Sequence, residues 1–328
     1  MTAAYRPTSG DTTTLIVGAG GLLGGAVSRS AHARGERLVT PAVHWDDPAT
    51  ARADLRRSVT RLFDPAVESG GAWRVAWCAG AGVAGTSDDE LAAEVAALEA
   101  VLGAIRGRVA GHPELAERGA VFVASSVGGL HAGGENPPFT EHHPAAPTSA
   151  YGRAKLAGEQ AAERFAAASG VPTVIGRITN LYGPGQDLNK PQVLISHLSR
   201  AHLTRNSVSV YVSLDTIRDY LFVDDCAEMV CDALDGVAAV AEPGRALIKI
   251  LGAHQGVTIG ALLGEFRRVF KRSPLVLLGS SDAARYQAAD LRVRSVVWTE
   301  LDRRALTSLP AGLAATAEDL FRTVKGAG

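Results

Sequence analysis

An apolar run, TLIV at 14–17, passes without a break into GAGGLLGG at 18–25. This junction constrains the fold more than any other feature of the chain, because it sets Gly18, Gly21 and Gly24 three residues apart where a strand turns into a helix. At such a turn the three glycines serve a tight backbone turn, close approach of the main chain to a pyrophosphate, and close packing of helix on strand. The phosphates would sit over the helix N-terminus, where unsatisfied N–H groups and the helix dipole favour negative charge. A glycine-rich turn taken alone is equally a tight turn with no ligand. Its place directly after the first strand is what points to a dinucleotide.

The rest of the chain supplies the sheet that such a loop requires. Short apolar runs recur at TLIV (14–17), RLVT (37–40), RVAWCA (74–79), AVFVASS (120–126), PTVIGR (172–177) and ALIKIL (246–251), separated by longer helical patterns. That alternation predicts a parallel sheet wrapped by helices. The helix between the third and fourth runs is well marked, with Ser87 as N-cap, acids at Asp88, Asp89 and Glu90, and Leu91, Val95, Leu98, Leu102 and Ile105 on one face. Residues 46–63 place Leu55, Val59, Leu62 and Phe63 at helical spacing where a doubly wound fold inserts its third strand, so that strand is expected to be short or missing. From about residue 178 the texture shifts to loops and shorter elements, with NLYGPGQDLNKPQ and SLDTIRDY between helices. At 328 residues the expected architecture is α/β, a Rossmann-type doubly wound parallel sheet over 13–177 that binds NAD(P) and carries the catalytic residues. A smaller C-terminal lobe over 178–328 is expected to bind substrate and to return some segments to the first domain.

A dinucleotide site normally ends its second strand with an acid that holds the adenosine ribose. Here that place falls near Pro41–Val43, and no acid occurs before Asp46; His44 is the nearest polar side chain. Without a carboxylate there is no repulsion against a ribose phosphate, so the reading leans to NADP over NAD. Asp46 could still reach the ribose if the loop folds back, and His44 could equally be a loop histidine with no ligand.

SAYGRAK at 149–155 opens an alanine-rich helical stretch, YGRAKLAGEQAAERFAAASG, and sets Tyr151 and Lys155 one turn apart on one face. A solvated tyrosine above a solvated lysine would give the same spacing. Ser126, however, ends the AVFVASS run 25 residues before Tyr151, and a hydroxyl at a strand's carboxyl end points into the ligand crevice of such a sheet. Serine, tyrosine and lysine then converge. Hydride transfer between a carbinol and nicotinamide requires a proton to leave or join the oxygen. A phenol beside an ammonium and an oxidised nicotinamide is suited to that exchange, and Ser126 would hold the substrate oxygen in line.

Together with the glycine loop, these residues make the chain resemble the extended short-chain dehydrogenase/reductases, in particular the NAD-dependent epimerase/dehydratase branch that acts on nucleotide sugars. The likeness runs from about residue 13 to 270 and includes FTEHHPAAPTSAYGRAKLAGE, RITNLYGPGQ at 177–186 and RDYLFVDD at 218–225. It implies Ser126, Tyr151 and Lys155 as catalytic residues. It implies Gly18, Gly21, Leu22, Leu23, Gly24, His44, Ala79 and Lys155 as cofactor contacts. Substrate contacts would be Ser126 at the reacting oxygen and Asn180 and Arg218 at the diphosphate of the nucleotide sugar, a role suited to a neutral donor and a guanidinium fork. On the residues alone, Asn180 is equally a turn residue and Arg218 equally an ion-pair partner of Asp215 or Asp219. A homodimer is also implied.

Departures from the family pattern narrow the chemistry. The 4,6-dehydratases carry an acidic pair just after the catalytic hydroxyl, whereas Val127 and Gly128 follow Ser126 here, which argues against dehydration. VGGLHAGG is glycine-heavy and places Leu130 and His131 where a tyrosine–glycine corner is usual, with Ser125 as a fallback for the hydroxyl. Glu94 replaces an asparagine that contacts a structural water, and YVSLDT replaces a glycine-rich turn before RDY. The expected function is a 4-ketoreductase or 4-epimerase of a nucleotide-activated sugar. Reduction of a non-sugar ketone, such as a polyketide or an aglycone, and a catalytically silent NAD(P)-binding sensor are the alternatives.

Bulk properties exclude other classes. Lys+Arg 33 against Asp+Glu 34 leaves a net charge of -1, with no field to attract nucleic acid or an anionic membrane. Cys78, Cys226 and Cys231 are too few and too poorly spaced for a disulfide framework or a zinc site, which suggests a reducing compartment. The segment MTAAYRPTSGDTTT does not read as a leader and no run of about 18 apolar residues occurs, so a cytoplasmic location is expected. His142 and His143 lack metal-ligand spacing, so no metal is expected. Arg292 and Arg294 alternate on a possible strand, as a solvated edge or as contacts to a nucleotide phosphate.

Overall fold

The computed structural model describes residues 12–63, 70–80, 82, 85–188, 194–279 and 288–326. Most of the segment read for a leader and the end of NLYGPGQDLNKPQ lie outside these residues. In the N-terminal part the elements run β1 (Thr12–Val17), α1 (Leu22–Ala33), β2 (Arg37–Val39), α2 (Pro48–Leu62), β3 (Ala72–Trp77), α3 (Asp88–Gly111), the short α4 (Glu114–Glu117), β4 (Gly119–Ser126), the short α5 (Val127–His131), α6 (Ala150–Ser169) and β5 (Thr173–Ile178). Then follow β6 (Asn180–Tyr182), α7 (Leu194–Thr204), β7 (Ser207–Val210), β8 (Ile217–Phe222), α8 (Val223–Gly236), β9 (Ala246–Leu251), β10 (Gly256–Thr258), α9 (Ile259–Phe270), β11 (Leu275–Leu278) and α10 (Leu309–Gly326).

Every residue of β1, β3 and β5 is buried, as strands covered on both faces must be. They belong to a six-stranded sheet in the order β2-β1-β3-β4-β5-β9, parallel throughout. One apolar layer sets α2, α3 and α6 on one face of it, through Leu55, Leu98, Ile105 and Phe165; on the other, Val27 of α1 and Val230 of α8 close the second layer. The architecture is the Rossmann-type doubly wound sheet. Because the chain leaves β1 first toward β2 and then crosses to β3, the carboxyl ends of β1 and β3 flank the switch point where ligands of such sheets bind.

Two local readings are realised with identifiable chemistry. Ser87 and Glu90 form a reciprocal capping box at the start of α3. Asp47 caps α2 by accepting from the amides of Ala49 and Thr50, and Leu55, Val59, Leu62 and Phe63 are buried beneath that helix. Among the described residues nothing pairs outside β2, so this three-residue strand forms the sheet edge. Among the described residues no further strand lies outside β2, and α2 packs on the face of the sheet through Leu55, Val59 and Leu62.

The C-terminal half divides its elements. β9 pairs with β5 in the main sheet, and α8 packs on that sheet's face. The remainder builds a smaller body: a three-stranded sheet β10-β8-β6, a two-stranded sheet β11-β7, and a separate core of Tyr182, Leu198, Phe222, Leu262, Phe266 and Leu313. Among the described residues no helix is long and apolar enough to cross a membrane.

Candidate active site

The glycine loop is pressed against the end of β3. Gly18 has φ +90°, and the Gly21 amide donates to its carbonyl at 2.9 Å. A Cβ on Gly18 would lie 2.7 Å from the Ala79 amide nitrogen, and one on Gly24 would lie 2.1 Å from the Gly18 carbonyl oxygen. No side chain fits at either position. Gly18 and Ala79 therefore meet across the switch point, while Leu22 and Leu23 form the first turn of α1. The N-cap of α1 is Gly21, with no side-chain hydrogen bond, so the first amides of the helix are left for a ligand. These features fit a dinucleotide pyrophosphate.

At the carboxyl end of β2 the structure adds a residue that the sequence pattern did not single out. Asp54 reaches back from α2 to His44: its Oδ2 accepts the His44 amide at 3.0 Å and lies 2.8 Å from Nδ1 of the imidazole. Arg57 also donates to Asp54. These hydrogen bonds, led by that of the His44 side chain, hold the Asp54 carboxyl below the usual carboxylate range. Asp54 is buried, whereas the His44 side chain is exposed. Asp46 is exposed in the preceding turn.

Ser126, Tyr151 and Lys155 come together through two glycines. Ser126 ends β4, caps α5 and accepts the Gly129 amide at 3.1 Å. A Cβ on Gly152 would fall 2.1 Å from the Gly129 carbonyl oxygen, so the start of α6 lies backbone to backbone against α5. A Cβ on Gly129 would in turn stand 3.1 Å from Cε1 of Tyr151 and 3.4 Å from Cβ of Ser126. The glycine-heavy VGGLHAGG segment is thus what permits serine and tyrosine to approach. Ser149 caps α6, and Lys155 Nζ lies 5.6 Å from the centre of the Tyr151 ring. Ser125, the fallback hydroxyl, borders the same cleft as Tyr151 and Lys155, but its hydroxyl is engaged: it donates to buried Glu159 at 2.6 Å. Neighbouring strand residues point to opposite faces, and Ser126 is the one on the α5 side.

A small cleft opens between α3 and α6 over the ends of β3 and β4, with Leu91, Glu94, Leu98, Ser125, Tyr151 and Lys155 among its walls. Cys78 follows β3 and packs against the core layer of α1 and α8, and burial pushes its thiol well above the usual range.

On the substrate side, Asn180 is not in a turn. It is the exposed first residue of β6, and its Nδ2 donates to the Asp219 carbonyl at 3.0 Å. Arg218 is buried in β8 and donates to the Ile217 carbonyl at 2.9 Å; burial lowers its pKa, opposed by the charges of Tyr220 and Asp290. Asp219 gives its carboxylate to the Thr179 hydroxyl and to the amides of Ala253 and Gln255, each at 2.8 Å. Arg292 and Arg294 are both exposed, and Arg292 pairs with Asp290. His143 takes the Thr140 amide at 3.0 Å. His131 is fully buried and stacks on Phe139 with ring centres 4.8 Å apart.

The model of the NAD dependent epimerase/dehydratase family matches residues 14–248. The dTDP-L-rhamnose 4-epimerase of Burkholderia thailandensis is 30% identical over 138 residues, which are 37% of this chain and 36% of that protein. A putative UDP-glucose 4-epimerase of Methanocaldococcus jannaschii is 30% identical over 115 residues, 35% of this chain and 38% of that protein. The chain thus matches little more than a third of the length of these curated relatives. Among solved structures, UDP-glucose 4-epimerase of Thermus thermophilus in complex with NAD has a TM-score of 0.74 at 20% identity, covering 94% of this chain and 99% of that one. UDP-glucuronic acid 4-epimerase of Bacillus cereus, in complex with UDP-glucuronic acid and NAD, has a TM-score of 0.72 at 17% identity, covering 95% and 99%. Both share the fold described above.

Proposed function

The chain belongs to the NAD dependent epimerase/dehydratase family, and from that premise we propose that it is an NAD(P)-dependent oxidoreductase acting on a nucleotide-activated sugar, as a 4-ketoreductase or a 4-epimerase. The observation that carries this reading is the approach of Ser126 to Tyr151 through Gly129 and Gly152, with Lys155 one turn further along α6. When bound, the nicotinamide supplies or accepts the hydride. Gly18, Gly21 and Gly24 admit the pyrophosphate against the N-terminus of α1. Ser126 orients the reacting oxygen of the sugar, and Tyr151 gives or takes its proton. The Lys155 ammonium stabilises negative charge on the tyrosine oxygen. Asn180 and Arg218 hold the diphosphate, so residues 13–177 carry cofactor and chemistry while 178–328 mostly hold substrate.

Between the two activities we favour reduction. An epimerase takes a hydride and returns it to the other face, and is best served by an NAD that never leaves. A reductase exchanges its spent cofactor in every cycle. No acid ends β2, and His44 stands exposed there, which suits NADPH and exchange. Arg218 separates this reading from reduction of a non-sugar ketone, which has no diphosphate to bind.

The test is NADPH oxidation with a 4-keto nucleotide sugar by the wild-type and Tyr151→Phe proteins. The variant is expected to lose at least about a hundredfold in turnover with cofactor affinity nearly unchanged. Near-normal turnover in the variant would remove Tyr151 from the mechanism. Protein that purifies with stoichiometric NAD and interconverts two nucleotide sugars without added cofactor would establish the epimerase instead.

A further inference from the structure

Residues 289–296 form a strap gripped from both sides of the site. On the substrate side the Ile217 amide, next to Arg218 in β8, donates to the Ala289 carbonyl at 2.8 Å, and the Leu291 amide donates to the Ile217 carbonyl at 3.2 Å. On the catalytic side the strap pairs with Phe139, whose amide donates to the Arg292 carbonyl and whose carbonyl accepts the Arg294 amide, each at 2.8 Å. Leu291 and Val293 share a small core with Val127, Phe139 and Ile250. A Cβ on Gly128 would stand 3.8 Å from Cδ1 of Leu291 and 4.0 Å from Oγ of Ser126, so the strap lies against the turn of α5 that follows the serine.

Glu141 fixes this strap lengthwise. The side chain is buried between α5 and α6; its Oε2 accepts the Val296 amide at 2.9 Å, and its Oε1 accepts the Ile250 amide of β9 at 3.0 Å together with the Ser295 hydroxyl. Ser295 Oγ in turn accepts from Lys249 Nζ at 2.5 Å, and Lys249, fully buried in β9, also donates to Asp302 at 2.6 Å. Buried polar groups are costly to leave unpaired, so the register at Ser295 and Val296 has one favourable setting. A slip of one residue would also turn Leu291 and Val293 out of their core.

We propose that Glu141 is a positioning residue: it fixes the register of the 289–296 strap, and through it the spacing between the strand that carries Arg218 and the helix that Ser126 caps. The inference rests on the assignment of Arg218 to the diphosphate and of Ser126 and Tyr151 to the sugar made above. Those groups belong to different halves of the chain. A nucleotide sugar held at its diphosphate presents the reacting carbon correctly only if the two halves are spaced to its length, and a small misplacement costs much of the rate. The strap is gripped by both halves, and Glu141 ties it to the main sheet.

Glu141→Gln keeps the size of the side chain, but its NH2 group cannot accept, so the Val296 or the Ile250 amide loses its partner. Ser295→Ala is the milder second variant and removes only the hydroxyl between Glu141 and Lys249. Hydrogen exchange is followed at single amides in ligand-free protein. In both variants exchange is expected to quicken by about tenfold or more, at Ile250 and Val296 and also at Leu291 and Ile217, where the strap meets β8. Quickening confined to Ile250 and Val296, or none at all, would overturn the inference. Turnover and binding then separate positioning from a loss of stability. At a temperature where the variants stay folded, kcat with a nucleotide sugar should fall by about tenfold or more, with UDP or dTDP and NAD(P) bound within about twofold of wild type. A normal kcat despite faster exchange along the strap would count against positioning just as firmly. A wild-type protein that neither binds UDP or dTDP nor turns over a nucleotide sugar would instead remove the proposed function, and exchange at Leu291 and Ile217 would still decide whether Glu141 fixes the strap.

Discussion

The Glu159 carboxylate, one turn beyond Lys155 on α6, accepts Nε of Arg177 at 3.0 Å and Nη2 at 2.8 Å, with both side chains buried. Ser125 adds its hydroxyl at 2.6 Å. One carboxylate thus fastens the helix that presents Tyr151 and Lys155 to both β4 and β5.

Removing that carboxylate should cost more than the pair contributes, because a buried guanidinium is left without its partner. Glu159→Ala is expected to lose about 3–5 kcal/mol of stability in urea unfolding. The double variant Glu159→Gln with Arg177→Met should recover much of the loss, since it buries no charge. A double variant as unstable as the single one would mean that packing volume, and not charge, dominates at this point.

Arg218 should act on substrate and not on cofactor. Its guanidinium is already desolvated in β8, and pairing with a diphosphate would be strong in that setting. Arg218→Ala is expected to weaken nucleotide-sugar binding by about 2–5 kcal/mol in titration calorimetry, with NAD(P) binding barely changed. Unaltered nucleotide-sugar affinity would favour a substrate without a diphosphate.

The His44 position should govern cofactor choice. His44→Asp places a carboxylate where a ribose phosphate would approach, and is expected to shift the ratio of kcat/KM for NADPH and NADH toward NADH by roughly tenfold or more. Because Asp54 already lies 2.8 Å from Nδ1 of His44, the new acid also meets a like charge, so thermal unfolding should be followed in parallel. A wild-type ratio in a folded variant would place the discrimination elsewhere.

His131 should make stability sensitive to mild acid. Burial, chiefly, lowers its pKa from 6.5 to about 4. Between those values the unfolded chain binds a proton that the folded chain refuses, so stability is fully present above pH 6.5 and falls as pH drops toward 4. The contribution amounts to up to about 3 kcal/mol. His131→Phe retains a ring against Phe139 and removes the titration, so its unfolding free energy should gain on the wild type as the pH falls through that window. Parallel stability curves for the two proteins would show that His131 takes no part.

What the sequence determined by itself is local. Gly18, Gly21 and Gly24 after an apolar run, the alternating strand and helix patterns, the capping box at Ser87 and the Tyr151–Lys155 spacing depend on residues within a few positions of one another. Helical and strand periods read directly from such neighbours. The helical spacing of Leu55, Val59 and Leu62 likewise reads as the helix α2 that forms there. What the tertiary structure decided depends on partners far apart in the chain. Ser125 is separated from Ser126 by Glu159, 34 residues further on, which claims the first hydroxyl and leaves the second at the α5 face. Asn180 reads as a turn residue until β8 arrives beside it and takes its side chain into a strand pairing. Gly129 and Gly152 have no assignable role in sequence, because their meaning is the contact of two backbones brought together by the packing of α5 on α6. Such contacts arise only when elements dock, since burial and hydrogen-bond satisfaction of the whole assembly, not the preference of any short segment, select which side chains face each other.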